Sequence, residues 1–211
     1  MSNEGDRICY KMIIIGDNDA GRKALLKKTF SGTFNEKSIS TIGMDRKTLF
    51  LTINTEEGER EIEIQLFYTA GEERYRSIIS SYYKSSQGLL FVYDITKKES
   101  FETINNCIEN IKSSSEDKNN FLMILIGNKD LAIANPDCRE ITSEYAENFC
   151  KENNLFWGGE YCLKDFTEEQ VKEMLTKFSL EIYKKVGIIF KKEEYFSKNE
   201  PKSKKLKCII Y

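Results

Sequence analysis

Three short apolar runs predict the central strands of a sheet. They span Ile8 to Ile15, Gly88 to Tyr93 and Phe121 to Ile126. Nearly continuous apolar runs are typical of strands that are covered on both faces, as in parallel sheets. We therefore expect all three segments to be buried.

Two further segments alternate apolar and polar residues, which is the pattern of half-buried strands. They are Lys47 to Asn54 and Glu59 to Phe67. The residues between them, Thr55-Glu56-Glu57-Gly58, form a turn signal. Two such strands around a short turn predict an antiparallel hairpin.

Helical stretches separate most of these strands, at 22–30, 100–112, 143–152 and 168–185. Alternating strands and helices predict an α/β fold with a mostly parallel sheet and right-handed crossovers. Ligands of such sheets bind beyond the carboxyl ends of the strands. The loops of interest therefore begin at Gly16, Phe67, Asp94 and Gly127.

Composition excludes several classes of function. The length of 211 residues suits one domain with a tail. Lys and Arg number 32 against 34 Asp and Glu, a net charge of −2, which argues against a nucleic-acid partner. The chain has no His, so His-based triads and His-containing metal sites are excluded.

The cysteines and the lack of a targeting signal predict a location. None of the six cysteines forms a Cys-x-x-Cys pair, and residues 1–7 do not look like a signal peptide. No apolar run reaches the ~18 residues that a membrane span needs. We therefore expect free thiols in a reducing, cytosolic environment.

The loop after the first strand is a candidate phosphate site. Its Gly16 and Gly21 have the spacing of the P-loop pattern G-x-x-x-x-G-K-[ST], in which backbone N–H groups point at phosphate. Arg22 replaces the Lys with a wider cation, and Lys23, in place of Ser or Thr, has no oxygen for a metal. The alternative is a plain strand–turn–helix whose glycines serve only the backbone. The candidate nucleotide-binding residues here are Gly16, Asn18, Asp19, Ala20, Gly21, Arg22, Lys23 and Ala24.

Four later segments resemble the Rab-type small GTPases of the Ras superfamily. Residues 40–45, Ser-Thr-Ile-Gly-Met-Asp, are similar to the first switch of that family. Residues 69–78, from Thr-Ala-Gly-Glu-Glu-Arg onward, are similar to the second switch. Residues 81–84 and 94–101 match Rab sequences in the same order and spacing.

The resemblance is close over residues 8–130 and loose over 131–186. It implies a Ras-like P-loop fold: a six-stranded, mostly parallel sheet with helices on both faces. The expected domain spans 8–186, after an extension at 1–7. The composition shifts toward charged residues near Gly187, which predicts a mobile tail at 187–211. The implied function is a GTP- and GDP-binding switch that meets effectors and regulators in vesicle trafficking.

This sequence differs from the family at several functional positions, and the first of these differences concern magnesium binding. The family holds Mg²⁺ with a P-loop Ser or Thr, a first-switch Thr and an Asp before Thr-Ala-Gly. The corresponding residues here are Lys23, Thr41 and Tyr68, so only Thr41 remains. Because Mg²⁺ requires oxygen ligands in octahedral geometry, we expect impaired metal binding.

Hydrolysis and phosphate binding are affected as well. Glu72 stands at the catalytic position, where the family has a Gln that orients the attacking water. Asp19 adds bulk and negative charge at a position that is usually Gly, whereas Gly71 is kept. Phosphoryl transfer depends on positioning and on charge stabilisation, so we expect weak hydrolysis.

The base-reading motif of the family, Asn-Lys-x-Asp, is one residue short here. It reads Asn128-Lys129-Asp130, so Asp130 lies two positions after the Asn rather than three. Residues 160–164 are the nearest candidate for the family's Ser-Ala-Lys motif, and Trp157-Gly158-Gly159 looks like an extra or altered loop. A shift of one residue moves the backbone by about 3.8 Å, so guanine selectivity stays an open question.

The switch surface retains residues of the kind that bind partners. The alternative is that they are ordinary core or solvated residues. The candidates are Ile42, Gly43, Arg74, Tyr75, Ile78, Tyr82 and Tyr83.

The segment Cys208-Ile209-Ile210-Tyr211 fits the C-a-a-X prenylation signal, with Cys208 as the acceptor. A single lipid chain gives only marginal membrane binding, and basic residues beside it strengthen it. The alternative is a free thiol in the tail. We expect reversible attachment to the cytosolic face of membranes, assisted by Lys202, Lys204, Lys205 and Lys207.

The departures fall on the metal, the γ-phosphate and the base, while the switch surface is kept. We therefore expect an atypical Rab-like protein that acts mainly through its switch surface. Two alternatives are an active GTPase with relaxed motifs and a nucleotide-free scaffold, that is, a pseudoGTPase.

Overall fold

A six-stranded sheet forms the centre of the computed structural model, which describes residues 8–16, 20–21, 25, 44–69, 85–114 and 121–189. The strand order is β2-β3-β1-β4-β5-β6, and only the β2–β3 pair is antiparallel. The predicted six-stranded, mostly parallel sheet is therefore confirmed. The strands are β1 (Ile8–Gly16), β2 (Met44–Thr55), β3 (Gly58–Thr69), β4 (Gly88–Asp94), β5 (Leu122–Asn128) and β6 (Phe156–Tyr161).

The β2–β3 hairpin is confirmed, with strands longer than predicted. Its turn is Glu56-Glu57, and Thr55 pairs with Gly58. Gly58 has a φ of 110°, a backbone conformation that glycine adopts without the strain of a side chain. The Thr55 hydroxyl donates a 2.8 Å hydrogen bond to the carbonyl of Gly58, which closes the turn.

The described helices are α1 (Lys98–Ser114), α2 (Asp130–Ala134), α3 (Ser143–Asn153) and α4 (Glu168–Val186), with a 3-10 helix at Pro136–Cys138. Three of them match the predictions at 100–112, 143–152 and 168–185; α2 and the 3-10 helix were not predicted. The Thr142 hydroxyl caps α3, and Thr167 forms a capping box with Gln170 at the start of α4. Most of the predicted helix at 22–30 lies outside the described residues.

Helices cover both faces of the sheet, as the resemblance implied. On one face, α4 packs through residues such as Phe178 and Ile182 against Tyr10 and Met12 of β1. On the other face, α1 and α3 pack against Ile13 and other strand residues. Among the cysteines, Cys9 and Cys150 are buried and Cys107 is partly buried.

The expectation of an altered loop at Trp157–Gly159 was wrong, because these residues belong to β6. Trp157 pairs with Leu125, but Gly159 pairs with Ile126, so Gly158 is an extra residue in a β-bulge. A Cβ atom on Gly158 would lie 3.0 Å from the carbonyl oxygen of Leu125 and 3.0 Å from Phe178. Glycines weaken the sequence signal of a strand, although a bulge favours them.

The first residues of the expected tail contact the sheet. The Cys9 amide donates to the Ile189 carbonyl at 2.8 Å, and the Tyr10 hydroxyl donates to the Gly187 carbonyl at 2.8 Å. Residues 1–7 and 190–211 lie outside the described part. None of the described helices is long and apolar enough to cross a membrane.

Candidate functional site

The carboxyl ends of the five parallel strands meet at one edge of the sheet. Gly16 at the end of β1 is in register with Val92 of β4, and Asp94 at the end of β4 is in register with Asn128 of β5. Asn128 in turn is in register with Tyr161 at the end of β6. The predicted phosphate loop and the predicted base-reading loop therefore open on the same edge, where ligands of such folds bind.

Gly21 closes the predicted phosphate loop in a position that only glycine fits. Its φ is 87°, and a Cβ atom there would lie 2.5 Å from the Asn128 side-chain nitrogen and 3.0 Å from Leu163. The Leu25 amide donates to the Gly21 carbonyl at 3.0 Å, a helical i to i+4 bond. The loop thus approaches both the β5 and the β6 loops closely. Of the other predicted residues of this loop, Gly16 is half-buried and Ala20 is buried.

Most predicted phosphate and metal residues lie outside the described part of the chain. So do the predicted catalytic residue, the partner-binding residues and the anchor. They are Asn18, Asp19, Arg22, Lys23, Ala24, Thr41, Ile42, Gly43, Gly71, Glu72, Arg74, Tyr75, Ile78, Tyr82, Tyr83, Lys202, Lys204, Lys205, Lys207 and Cys208.

Asn128 connects three loops at this edge. Its side chain is buried and lies against Gly21. Its side-chain oxygen accepts a 3.1 Å hydrogen bond from the Asp130 amide, and its backbone carbonyl accepts a 3.1 Å bond from the Ile95 amide after β4. Asn128 therefore holds the β4, β5 and phosphate loops together.

Asp130 contacts the loop after β6. Its side-chain oxygen accepts a 2.9 Å hydrogen bond from the Lys164 amide. The residue is also the first of α2, so the shortened motif runs directly into a helix. Leu131, three positions after Asn128, is 47% exposed.

Cys162 lies in the same loop, directly after β6. Its thiol donates to a side-chain oxygen of Asp165 at 3.1 Å. Burial, together with hydrogen bonds to Asp165 and Asp130, raises the pKa of the Cys162 thiol to about 11. The thiol is therefore neutral near pH 7, and it acts as a donor to carboxylates rather than as a nucleophile.

An ion pair fixes the end of β6, and sequence analysis missed it. Arg139 donates to both carboxylate oxygens of Glu160, at 2.8 and 2.7 Å, and the Ser143 hydroxyl donates to the same carboxylate at 2.7 Å. Burial alone would raise the pKa of Glu160, but the bonds from Arg139 and Ser143 and the charge of Lys129 bring this pKa below its usual value. The partners lie 17 to 21 positions apart, so no local pattern indicates the pair.

Lys129 lies between two shallow depressions on the outer side of this corner. One has a volume of about 190 Å³ and includes Ala132, Ile133 and Pro136 of the α2 region. The other, of about 260 Å³, includes residues of β6 and of the start of α4. The positive charge of Lys129 contributes to the lowered pKa of Glu160.

Tyr68 occupies the place of the expected metal-supporting carboxylate. It is next to the last residue of β3, in register with Ile14 of β1 and Asp45 of β2, and it is buried. Among the described residues, no group of three or more Cys, Asp or Glu could hold a metal ion. At this one position the chain offers a buried phenol and no carboxylate, and the other expected metal residues, Lys23 and Thr41, lie outside the described part.

Comparisons with known proteins agree with this arrangement. The model of the family described as "Ras family" matches residues 11–184. The GTP-binding protein ypt3 of Schizosaccharomyces pombe is 36% identical over 146 residues, which are 69% of this chain and 64% of that protein. Ras-related protein RABA4b of Arabidopsis thaliana is 36% identical over 149 residues, 70% of this chain and 62% of that protein. Ras-related protein Rab11B of Nicotiana tabacum is 33% identical over 178 residues, 84% and 76% of the two chains. The chain thus matches just under two thirds of the length of the first two relatives.

Proposed function

The chain belongs to the Ras family, and from that premise we propose that it is a Rab-like nucleotide-binding protein of vesicle trafficking with impaired magnesium binding and GTP hydrolysis. The observation that carries the proposal is the buried Tyr68 at the end of β3, where the family has a magnesium-supporting Asp. A buried phenol beside the first strand replaces a carboxylate that a divalent cation requires.

Nucleotide binding is supported by what the chain keeps. Gly21 retains the conformation and the close approach of a phosphate loop, and Asn128 lies directly against it. Backbone N–H groups at the start of a helix suit an anion without a metal. The similar protein ypt3 is described as GTP-binding, which favours a nucleotide as the ligand.

Metal-independent binding is the part of the proposal that distinguishes this chain from its family. Arg22 and Lys23 place two cations in the phosphate loop sequence. Lys23 supplies a positive charge in place of the ion, while Thr41 alone cannot complete an octahedral shell. Glu72 adds negative charge near the γ-phosphate, so bound GTP is hydrolysed slowly.

In this proposal the protein acts by binding partners through its switch surface rather than by hydrolysing GTP. The residues proposed to contact effectors and regulators are the seven named in the sequence analysis, from Ile42 to Tyr83. An active GTPase and a nucleotide-free scaffold are the two alternatives that an experiment must separate.

The experiment combines nucleotide identification with single-turnover hydrolysis. Denatured protein is analysed by chromatography for released nucleotide, and loaded GTP is followed over time. We expect bound nucleotide and hydrolysis at least 100-fold slower than that of ypt3 measured in parallel. Hydrolysis as fast as that of ypt3 would establish the active GTPase, and folded protein that never holds nucleotide would establish the scaffold.

A variant that restores the expected metal ligands tests whether their loss causes the slow hydrolysis. The double change Lys23→Ser and Tyr68→Asp returns two oxygen ligands and is expected to speed hydrolysis in Mg²⁺, with Tyr68→Phe as the control that adds no ligand. Lys23→Ser alone gives a second readout if the buried carboxylate prevents folding. Unchanged hydrolysis in both restored variants would contradict the assigned role of these positions.

Membrane attachment is proposed on the sequence alone, through a lipid on Cys208 and the four lysines before it. We expect Cys208→Ser to move the protein from the membrane fraction to the cytosol in cell fractionation. Cys138→Ser is the matched control, because that thiol lies in the folded domain, where it donates to the Asn135 carbonyl. Equal fractionation of Cys208→Ser and wild type would rule out a lipid anchor on Cys208.

A further inference from the structure

We infer that β2 pairs with β2 of a second copy of this chain, in antiparallel orientation, about a two-fold axis at Phe50. The two sheets then continue across the axis as one, because β2 lies at the edge of the described sheet. Three features of β2 carry this inference: its regular edge, its exposed face and the symmetry of its sequence. The contact does not require a bound nucleotide, so its failure would leave the proposed function standing.

The two edge strands of the described sheet, β2 and β6, differ in how well they are protected from pairing with another strand. β6 is six residues long, and a bulge interrupts its pairing with β5. β2 is twelve residues long and pairs with β3 along its whole length with no shift in register. A long, regular edge presents backbone N–H and C=O groups to another strand, whereas a short or bulged one resists such pairing.

The charges of β2 lie at one end of the strand. Asp45, Arg46 and Lys47 are near its start, whereas the residues from Thr48 to Thr55 include no charge, no Pro and no Gly. Most residues of this second part are β-branched or aromatic, which favours strand pairing. Charged residues and Pro are common protections of a sheet edge, so this part of β2 is suited to pair with another strand.

The two faces of this part of β2 differ in exposure. Leu49, Leu51 and Ile53 are buried in the same hydrophobic cluster as the inner side of α4. Phe50 lies on the opposite face, since side chains alternate along a strand, and it is 55% exposed. Thr52 on the same face is exposed as well. A second strand at this edge would therefore bring apolar side chains against an exposed aromatic ring.

The sequence of β2 identifies that second strand as another copy of the chain. Residues 48–52 read Thr-Leu-Phe-Leu-Thr, which is the same in both directions. With Phe50 opposite Phe50 in an antiparallel pair, Thr48 lies opposite Thr52 and each leucine lies opposite a leucine. Aromatic pairs and Thr–Thr pairs across strands are stabilising. A two-fold contact has this property by definition, because the same surface patch is used on both subunits.

The charged residues are compatible with this register. The charged start of each strand, 45–47, lies opposite the uncharged end of the other, 53–55. No like charges of β2 therefore face each other across the axis, where they would be destabilising. A parallel pairing in register would place every charge beside its own copy, so the antiparallel pairing is favoured.

Sedimentation equilibrium of the full chain tests whether the dimer forms. One strand from each copy is a small contact beside the ~1,200 Å² of a standard interface, so we expect a weak dimer. Between about 10 µM and about 1 mM the average mass should rise from that of a monomer toward that of a dimer, and no further. A mass that stays monomeric over this range would overturn the inference, and so would growth beyond a dimer.

Opposite charges at position 50 test the axis. Phe50→Lys and Phe50→Glu each place like charges opposite each other, so each variant alone should dimerise at least 10-fold more weakly than the wild type. A 1:1 mixture of the two should dimerise at least 10-fold more strongly than either alone, because opposite charges then meet. Ile133→Lys is the matched control, since Ile133 is 56% exposed on α2, and it should dimerise as the wild type does. Single variants that dimerise as strongly as the wild type, or a mixture no stronger than its components, would overturn the inference.

Disulfide cross-linking measures the register independently. Opposite residues of an antiparallel pair have Cα atoms about 4.5–5.5 Å apart, which is within the range of a disulfide. Under a mild oxidant Phe50→Cys should cross-link to its own copy, whereas Thr52→Cys should do so only when mixed with Thr48→Cys. The wild type, with its six native cysteines, gives the background. Cross-linking of Thr52→Cys alone as readily as Phe50→Cys would contradict the axis at Phe50.

Discussion

The two sides of the binding edge depart from the family in different ways. On the β5–β6 side the proposed base-reading motif is one residue shorter than the pattern of the family, and the Lys164 amide donates a hydrogen bond to Asp130. On the β1–β3 side we propose that Tyr68 stands in place of the family's Asp, and this residue is buried beside β1. Gly21 lies between them and contacts the β5–β6 side.

The comparison separates two kinds of change. A shorter loop whose ends are joined by polar contacts still presents polar groups at the surface. Such a loop can still bind a ligand, although its preference among ligands can change. A substitution that buries an aromatic ring removes the oxygens and the open space that a hydrated metal ion needs. We therefore expect substitutions that restore the family residue on the β1–β3 side to destabilise the fold strongly. Substitutions on the β5–β6 side should destabilise it little.

The largest effect is expected for Tyr68→Asp. A carboxylate in this buried position loses most of its hydration, and we expect a loss of about 3 kcal/mol or more in the free energy of unfolding. Tyr68→Phe keeps the ring and should cost about 1 kcal/mol or less. Urea unfolding at pH 7 without divalent ions measures both, and equal costs would mean that the site is polar and open.

Gly21→Ala follows, because it combines a left-handed φ of 87° with a clash against Asn128. We expect a loss of about 2–3 kcal/mol in thermal unfolding, together with weaker nucleotide binding. Gly58→Ala is the matched control, since its φ is 110° but nothing lies within 4 Å of its Cβ position. It should cost only about 1 kcal/mol. Equal losses would mean that the contact with Asn128 contributes nothing.

Much of the scaffold could be predicted from the sequence, because it depends on local patterns. The apolar run at Ile8–Ile15 and the alternation around the Thr55–Gly58 turn are readable within a few residues. The strand β6 was missed because its two glycines at positions 158 and 159 hide it, although they fit the bulge. The polar bonds of the site were missed because their partners lie far apart, 34 positions in the case of Asp130 and Lys164.

A smaller effect is expected for Glu160→Gln, which breaks the bidentate pair with Arg139. We expect a loss of about 2 kcal/mol at pH 7, since the Glu160 side chain is only 10% exposed. Glu102→Gln, in an exposed pair with Lys98, should cost about 0–0.5 kcal/mol.

The pH dependence of this loss has a definite sign. The folded pKa of Glu160 is lowered from its ordinary value of 4.5, so its contribution is present above that value and disappears as pH falls through the folded pKa. The difference in the free energy of unfolding between wild type and Glu160→Gln, measured with urea, should therefore become smaller below pH 4.5. A gap that stays constant into acid would contradict the assigned ion pair.

The smallest effect is expected for Asp130→Asn, which weakens an exposed hydrogen bond. We expect about 1 kcal/mol or less in global stability. The local effect is sharper: hydrogen exchange of the Lys164 amide should become faster, while in Asp165→Asn it should stay as in the wild type. Unchanged protection of this amide would mean that Asp130 does not hold the β6 loop.

The most direct test of the metal claim is the affinity of the wild-type protein for GDP with Mg²⁺ and with EDTA, measured by calorimetric titration. With Tyr68 and Lys23 in place of metal-binding oxygens, the two dissociation constants should agree within about 3-fold. A loss of affinity of 100-fold or more in EDTA would show that the ion is held after all, and would contradict this account.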